Sequence, residues 1–250
     1  MNHFFVDDIE VFYTGPSLSE GALPSLFYFA LSAEDSLTLD PFNQPVEFLK
    51  PYPLRIFSLT LPGHENKADP TKAIDVWAQK IQSGETIIEE FVSKVERVVN
   101  YLREKNLLID GKLGAMGLSR GGFIAAHVCA KIPSFKFLLG FAPLTKLTYA
   151  KEFHGQDSDY ADTLNLEHLC EKLFSLPMRF YIGNRDTRVS TSLCFQFIEK
   201  LSNTAFHHKI RSPKMELIIS PSIGHQGHGT SKEIFEQGAL WIGTHLGVIA

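Results

Sequence analysis

A mostly parallel β-sheet with helices on both faces is the fold class this sequence predicts. Two observations carry it. Short apolar runs bounded by turn residues alternate along the chain with segments of helical periodicity, the signature of an α/β sheet. One of these runs also passes through a glycine-rich turn directly into a helical segment, at Gly117-Leu118-Ser119-Arg120-Gly121-Gly122.

Phe4 to Tyr13 alternates weakly between apolar and polar residues and stops at Thr14-Gly15-Pro16, so early antiparallel strands are expected. Ser25 to Leu31 (SLFYFAL) and Leu54 to Leu61 (LRIFSLTL) read as buried strands, the second stopped by Pro62-Gly63. Between Ile87 and Leu102 the apolar residues Ile87, Ile88, Phe91, Val92, Val95, Val98, Val99 and Leu102 recur with a period near 3.6. Glu90 and Lys94 form an i,i+4 pair on the polar side of that helix. Asp110-Gly111 then turns the chain into a strand, Lys112 to Leu118, and a helix from about Gly121 to Lys131 is stopped by Pro133. Phe135 to Ala142 is the next strand. Residues 143–177 are more polar and richer in histidine, and read as a small helical excursion over the carboxyl edge of the sheet. Met178 to Ile182 and Met215 to Ser220 are strands, and Ser190 to Leu201 and Ser231 to Leu246 are helices. The 250 residues suit a single domain, 1–250, in which right-handed crossovers link the parallel strands.

Composition narrows the function classes. The formal net charge is -4 and basic residues do not cluster, so a nucleic-acid footprint is not expected. No apolar run reaches the ~20 residues needed to span a bilayer. The start, Met-Asn-His-Phe-Phe-Val-Asp-Asp, lacks the basic region of a signal peptide. Cys129, Cys170 and Cys194 are odd in number and show no metal-ligand or redox spacing, which fits buried thiols in a reducing compartment. The expectation is a cytoplasmic protein with no membrane, nucleic-acid, metal or organic cofactor requirement. Its oligomeric state is open.

Gly117-Leu118-Ser119-Arg120-Gly121 matches G-x-S-x-G between a strand and a helix, the setting of a nucleophile elbow. Such a turn exposes the serine hydroxyl above the sheet, and residues two before and two after must be small to avoid collision. The helix N-terminus then directs its dipole and free N–H groups at a developing oxyanion. The alternative use of the segment is a plain glycine-rich turn with an incidental serine.

With GLSRGG at the elbow, YIGNRDTRVS after the penultimate strand and SIGHQGHG after the last strand, the chain resembles the α/β-hydrolase superfamily. Within it, the catalytic domains of the prolyl oligopeptidase and dienelactone hydrolase groups are the most similar. The resemblance spans nearly the whole chain and follows the superfamily's order of serine, acid and histidine. It implies a serine hydrolase of the α/β-hydrolase fold with Ser119 as nucleophile and Asp186 as triad acid, on the turn after Arg179 to Ile182. Asp157, Asp159 and Asp162 are rivals that lie on no strand end. The implied general base is His225, midway along the loop after the last strand, with His228 the serious rival. His207 and His208 lie at the wrong end of that strand. The Arg120 backbone N–H is the implied first oxyanion donor.

Where relatives carry His-Gly, this chain has Ala30-Leu31-Ser32-Ala33. Ser32 is the implied second donor, with Leu31 as alternative. Asp35 to Pro45 is expected as a long loop walling the pocket. His64, in Leu61-Pro62-Gly63-His64, reads as a turn residue. Phe42 and Phe48 are candidates to line an acyl pocket, whereas Phe27 and Phe29 suit core packing. The substrate implied is a small carboxylic ester, or else a thioester or amide. A peptidase is the runner-up, although larger relatives screen peptides with an additional N-terminal domain for which this chain has no room. A non-catalytic binding protein on the same fold is the rival of another class.

Overall fold

The computed structural model describes residues 1–155 and 159–249. Its framework is one eight-stranded sheet in the order β1-β2-β4-β3-β5-β6-β7-β8. Strands β1 (Asn2–Val6) and β2 (Ile9–Thr14) form an antiparallel hairpin, and β2 also runs antiparallel to β4 (Arg55–Ser58). From there the sheet is parallel through β3 (Leu23–Phe29), β5 (Leu108–Leu118), β6 (Phe137–Phe141), β7 (Met178–Gly183) and β8 (Met215–Ser220). This is the α/β-hydrolase fold. Strand β3 lies between β4 and β5, so the chain leaves it to one side and later returns on the other. Loops diverging from such a switch point leave a crevice at the carboxyl ends of the strands.

Both faces of the sheet are covered, which explains the unbroken apolar runs of the parallel strands. In β3 the side chains alternate between two cores. Phe27 and Phe29 enter one together with Phe91, Val95 and Phe123, and Leu26 and Tyr28 enter the other with Phe141, Phe235 and Ile242. The first core is roofed by α3 (Ala73–Gln82), α4 (Ile87–Glu104), α5 (Arg120–Lys131) and α8 (Thr191–His207); the second by α2 (Gln44–Leu49) and α9 (Lys232–Leu246). All eight apolar residues of the predicted stripe from Ile87 to Leu102 are buried.

Two local expectations are corrected. Asp110 and Gly111 do not precede β5 but lie inside it, where pairing with β3 shifts from Leu23↔Leu108 to Ser25↔Leu113 and Gly111 takes a φ of 77°. The turn signal marked a bulge rather than a strand end. The stretch from Asp35 to Pro45, expected as one long loop, runs from within α1 (Ala33–Thr38) into the start of α2, each helix six residues long and too short to show a helical period. Helix α3 lies between the Pro62-Gly63 turn and the Ile87 stripe, and its Trp77 is fully buried, donating from Nε1 to the Pro62 carbonyl.

Between β6 and β7 the chain forms short 3-10 turns and two small helices, α6 (Asp159–Thr163), packed on the 3-10 turn Leu147–Tyr149, and α7 (Cys170–Leu173), packed against α5 and α8. Cys129, Cys170 and Cys194 are free and buried. No helix among the described residues is long and apolar enough to cross a membrane.

Candidate active site

Ser119 sits at the junction of β5 and α5 with φ 55° and ψ -118°. A non-glycine residue held there costs of order 1–3 kcal/mol, and surrounding contacts must over-determine it. They do. The Ser119 N–H donates to the Phe141 carbonyl, and the Ser119 carbonyl accepts from Gly122 and Leu144. The two glycines flanking the serine are required by close approach. A Cβ on Gly117 would lie 2.1 Å from the Gly121 carbonyl oxygen, and one on Gly121 would lie 1.9 Å from that of Phe29.

Asp186 lies on the turn after β7 and is buried. Its Oδ1 accepts the backbone N–H groups of Arg188 and Val189 at 2.9 and 3.0 Å, which fixes the carboxylate. Its Oδ2 accepts from His228 Nδ1 at 2.7 Å. The Ser119 hydroxyl in turn donates to His228 Nε2 at 2.8 Å. The three side chains thus form one continuous hydrogen-bonded line. The His228 ring is 21% exposed, so it is reachable from the crevice. Such a line can remove a proton from the serine hydroxyl as it attacks a carbonyl, while the carboxylate fixes the imidazole tautomer.

The histidine expected in this position was His225, and the structure corrects that. The loop after β8 closes on itself through the Ile223↔Gly229 bridge and a 3-10 turn over His225–Gly227. His225 is exposed on that turn. The Gln226 carbonyl accepts from the Thr187 N–H, pinning the turn to the loop that carries Asp186. Gly227 packs so closely there that an added Cβ would lie 2.3 Å from the Arg185 carbonyl oxygen. The next residue, His228, is thereby delivered to Asp186. The sequence signal was available: His228 is the histidine with glycine on both sides.

The rival acids lie elsewhere. Asp159 and Asp162 are on α6, and Asp162 accepts from Asn165 Nδ2; Asp157 lies outside the described residues. His207 and His208 close α8, where His208 contacts Glu171.

A cavity of about 250 Å³ opens at Ser119, lined by Leu31, Phe42, Leu118, Phe235 and His228 among others. Phe42 therefore shares a cavity with Ser119, whereas Phe48 packs against the α2–α9 core. Ser32 caps α1 and lines a neighbouring, larger cleft of about 840 Å³ together with Asp35, His64 and Glu65. The N–H groups of Ala30 and Leu31 both donate to Ser36 Oγ.

Charged groups gather around Arg120, the residue after Ser119. Arg188 forms a two-pronged ion pair with Glu152, Nη2–Oε1 2.9 Å and Nη1–Oε2 3.2 Å, and the Glu152 side chain is 5% exposed. The half-buried Arg120 donates from Nη1 to the Pro70 carbonyl at 2.9 Å. Burial and the nearby Arg188 hold its guanidinium down to about 10, against the opposing attraction of Glu152. His64 starts a 3-10 turn, as its place in the sequence suggested, but is buried. Burial and the Arg120 charge depress its imidazole to about 4, and its Nε2 has no hydrogen-bond partner.

A family model described as the prolyl oligopeptidase family matches residues 82–248. A search of curated proteins by sequence finds no match. Among solved structures, the chain is similar to TT1662 from Thermus thermophilus, at 15% identity and TM-score 0.69, covering 95% of this chain and 94% of that one. Porphyromonas gingivalis dipeptidyl peptidase 4 is similar at 12% identity and TM-score 0.68, over 94% of this chain and 33% of that one. This chain therefore spans about a third of that protein's length. A cold-adapted esterase from an Arctic intertidal metagenomic library is similar at 15% identity and TM-score 0.66, over 100% of this chain and 93% of that one.

Proposed function

This chain belongs to the prolyl oligopeptidase family, serine hydrolases of the α/β-hydrolase fold, and we propose that it cleaves a small carboxylic ester through Ser119, His228 and Asp186. The observation that carries the reading is the continuous line from the Ser119 hydroxyl through His228 to Asp186, at 2.8 and 2.7 Å. In the reaction Ser119 Oγ attacks the carbonyl carbon and its proton passes to His228 Nε2. The oxyanion accepts from the Arg120 N–H, at the start of α5, and from the Ser32 N–H. Ser32 is favoured over Leu31 because the Leu31 N–H already donates to Ser36 Oγ. The tetrahedral intermediate collapses, and the departing alkoxide takes the proton from His228. A water, deprotonated by the same imidazole, then releases the acid from the acyl-enzyme.

Ester rather than peptide is favoured by the compact, mostly apolar cavity at the nucleophile. A peptidase is the second reading, favoured by the family match and by the likeness to dipeptidyl peptidase 4. A fluorophosphonate probe with peptide mapping of the adduct tests the nucleophile, and modification of Ser119 is the expected result. Folded protein that stays unlabelled, or is labelled elsewhere, overturns the assignment. A panel of esters, thioesters and peptide amides sharing one acyl group then decides the substrate. Turnover of amides without esters would replace the ester reading by the peptidase one.

A further inference from the structure

Next to Ser119 in sequence lies a cation, the Arg120 side chain, that takes no part in the proton transfers of the ester cleavage. Arg120 contributes its backbone to the oxyanion site, but its side chain is a separate matter. Among the described residues, no carboxylate lies within ion-pair distance of its guanidinium, and its hydrogen-bond acceptor is the Pro70 carbonyl. The neighbouring Glu152 attracts the Arg120 charge from beyond ion-pair distance, but both its oxygens are engaged by Arg188. Asp35, the carboxylate that acts on His64, receives a hydrogen bond from Ser32 Oγ at 2.7 Å. His64, on the other side, is neutral at physiological pH and adds a second polar atom, Nε2, that is buried without a partner. A partly buried charge without a direct ion-pair partner is costly. A fold tolerates such groups chiefly where a ligand completes them.

Building on the serine hydrolase reading above, we propose that the Arg120 side chain holds a carboxylate of the substrate beside Ser119, so that the preferred esters carry an acid group. The fork of guanidinium N–H groups matches a carboxylate in two-pronged geometry. The Arg188–Glu152 pair is internally neutral and leaves the Arg120 charge as the excess at this side of the crevice. His64 Nε2 offers a further polar contact close by. The cavity of Leu31, Phe42, Leu118 and Phe235 then takes the apolar part of the same molecule.

The test compares kcat/KM for three methyl esters of similar length: methyl pentanoate, monomethyl glutarate and methyl γ-(trimethylammonio)butyrate. A second series places the acid in the alcohol half, β-acetoxypropionate against butyl acetate. The wild type is expected to favour the acid-bearing ester in at least one series, on the order of tenfold or more, as for a charge-assisted contact. In Arg120→Gln, which keeps the backbone N–H, that ratio should collapse toward unity, and Arg120→Lys should restore part of it. Fluorophosphonate labelling of Ser119 in each variant reports an intact fold and nucleophile. An unchanged ratio in a labelled Arg120→Gln overturns the proposal, as does a wild type that favours neutral or cationic esters in both series. Cationic preference would move recognition to the acidic cleft beside Ser32. Failure of labelling in the wild type would instead remove the serine hydrolase reading on which this rests.

Discussion

His228 and Asp186 meet across the two loops that follow the last two strands of the sheet, Nδ1 to Oδ2 at 2.7 Å. The carboxylate is held from behind by the N–H groups of Arg188 and Val189. Because these bonds hold the acid without help from the histidine, Asp186→Asn should fold, yet present an amide that favours the wrong imidazole tautomer. By analogy with other triads the loss in kcat is on the order of 10⁴. Steady-state kinetics on the folded variant measure it, and near-normal turnover would mean that another group orients His228.

The two loop histidines give a sharper contrast. His228→Ala removes the acceptor of the Ser119 proton and should lower kcat by several orders of magnitude. His225→Ala alters an exposed side chain outside the hydrogen-bonded line and should stay within about twofold of the wild type, as surface substitutions generally do. The opposite ranking would mean that the loop rearranges when substrate binds.

This pair also shows where sequence reasoning stops. Ser119 was readable because much of its constraint is local: the collision that demands Gly117 arises within one turn, against the Gly121 carbonyl. Asp186 was readable because the carboxyl end of β7 places it regardless of loop detail. The helix from Ile87 was readable because eighteen residues repeat one stripe. The histidine was not, because the shape of its loop depends on remote partners. Thr187 binds the Gln226 carbonyl, and Gly227 packs on Arg185, about forty residues away in sequence. Helices α1 and α2 were missed for a different reason. At six residues each they are held by tertiary packing rather than by their own periodicity.

Stability should fall in mild acid. His64 and His127 are both depressed from 6.5 to about 4 by burial. The fold keeps them neutral while the unfolded chain takes up protons below about 6.5. Their contribution is therefore complete above the ordinary value and is lost as pH falls toward about 4. Each histidine adds a slope of up to about 1.4 kcal/mol per pH unit in that window. Urea unfolding at several values between pH 7.5 and 4.5 measures the slope. His127→Gln removes one titrating group while retaining a donor for the Leu164 carbonyl, and should flatten it. A wild-type curve that is flat across this range would contradict the neutral burial of both rings.

Phe42 sets the last expectation. It follows α1 in the segment expected to be a loop and forms part of the wall of the cavity at Ser119, with Leu31, Leu118 and Phe235. Its own carbonyl accepts from the buried Tyr28 hydroxyl, so the backbone at this point is tied to β3. Phe42→Ala should therefore remove the ring while leaving the wall's backbone in place. The space vacated lies beside the carbonyl under attack, where additional apolar atoms of a longer acyl chain can be buried. Each methylene so buried contributes about 0.8 kcal/mol, or roughly a fourfold gain in kcat/KM. The optimum acyl length should move upward in Phe42→Ala, with short esters losing some of their rate because the cavity no longer closes around them. Rates for a homologous series of esters in wild type and variant decide the matter. An unchanged optimum would place the acyl chain outside this cavity, and the wall around Phe42 would then face the alcohol half of the substrate or solvent.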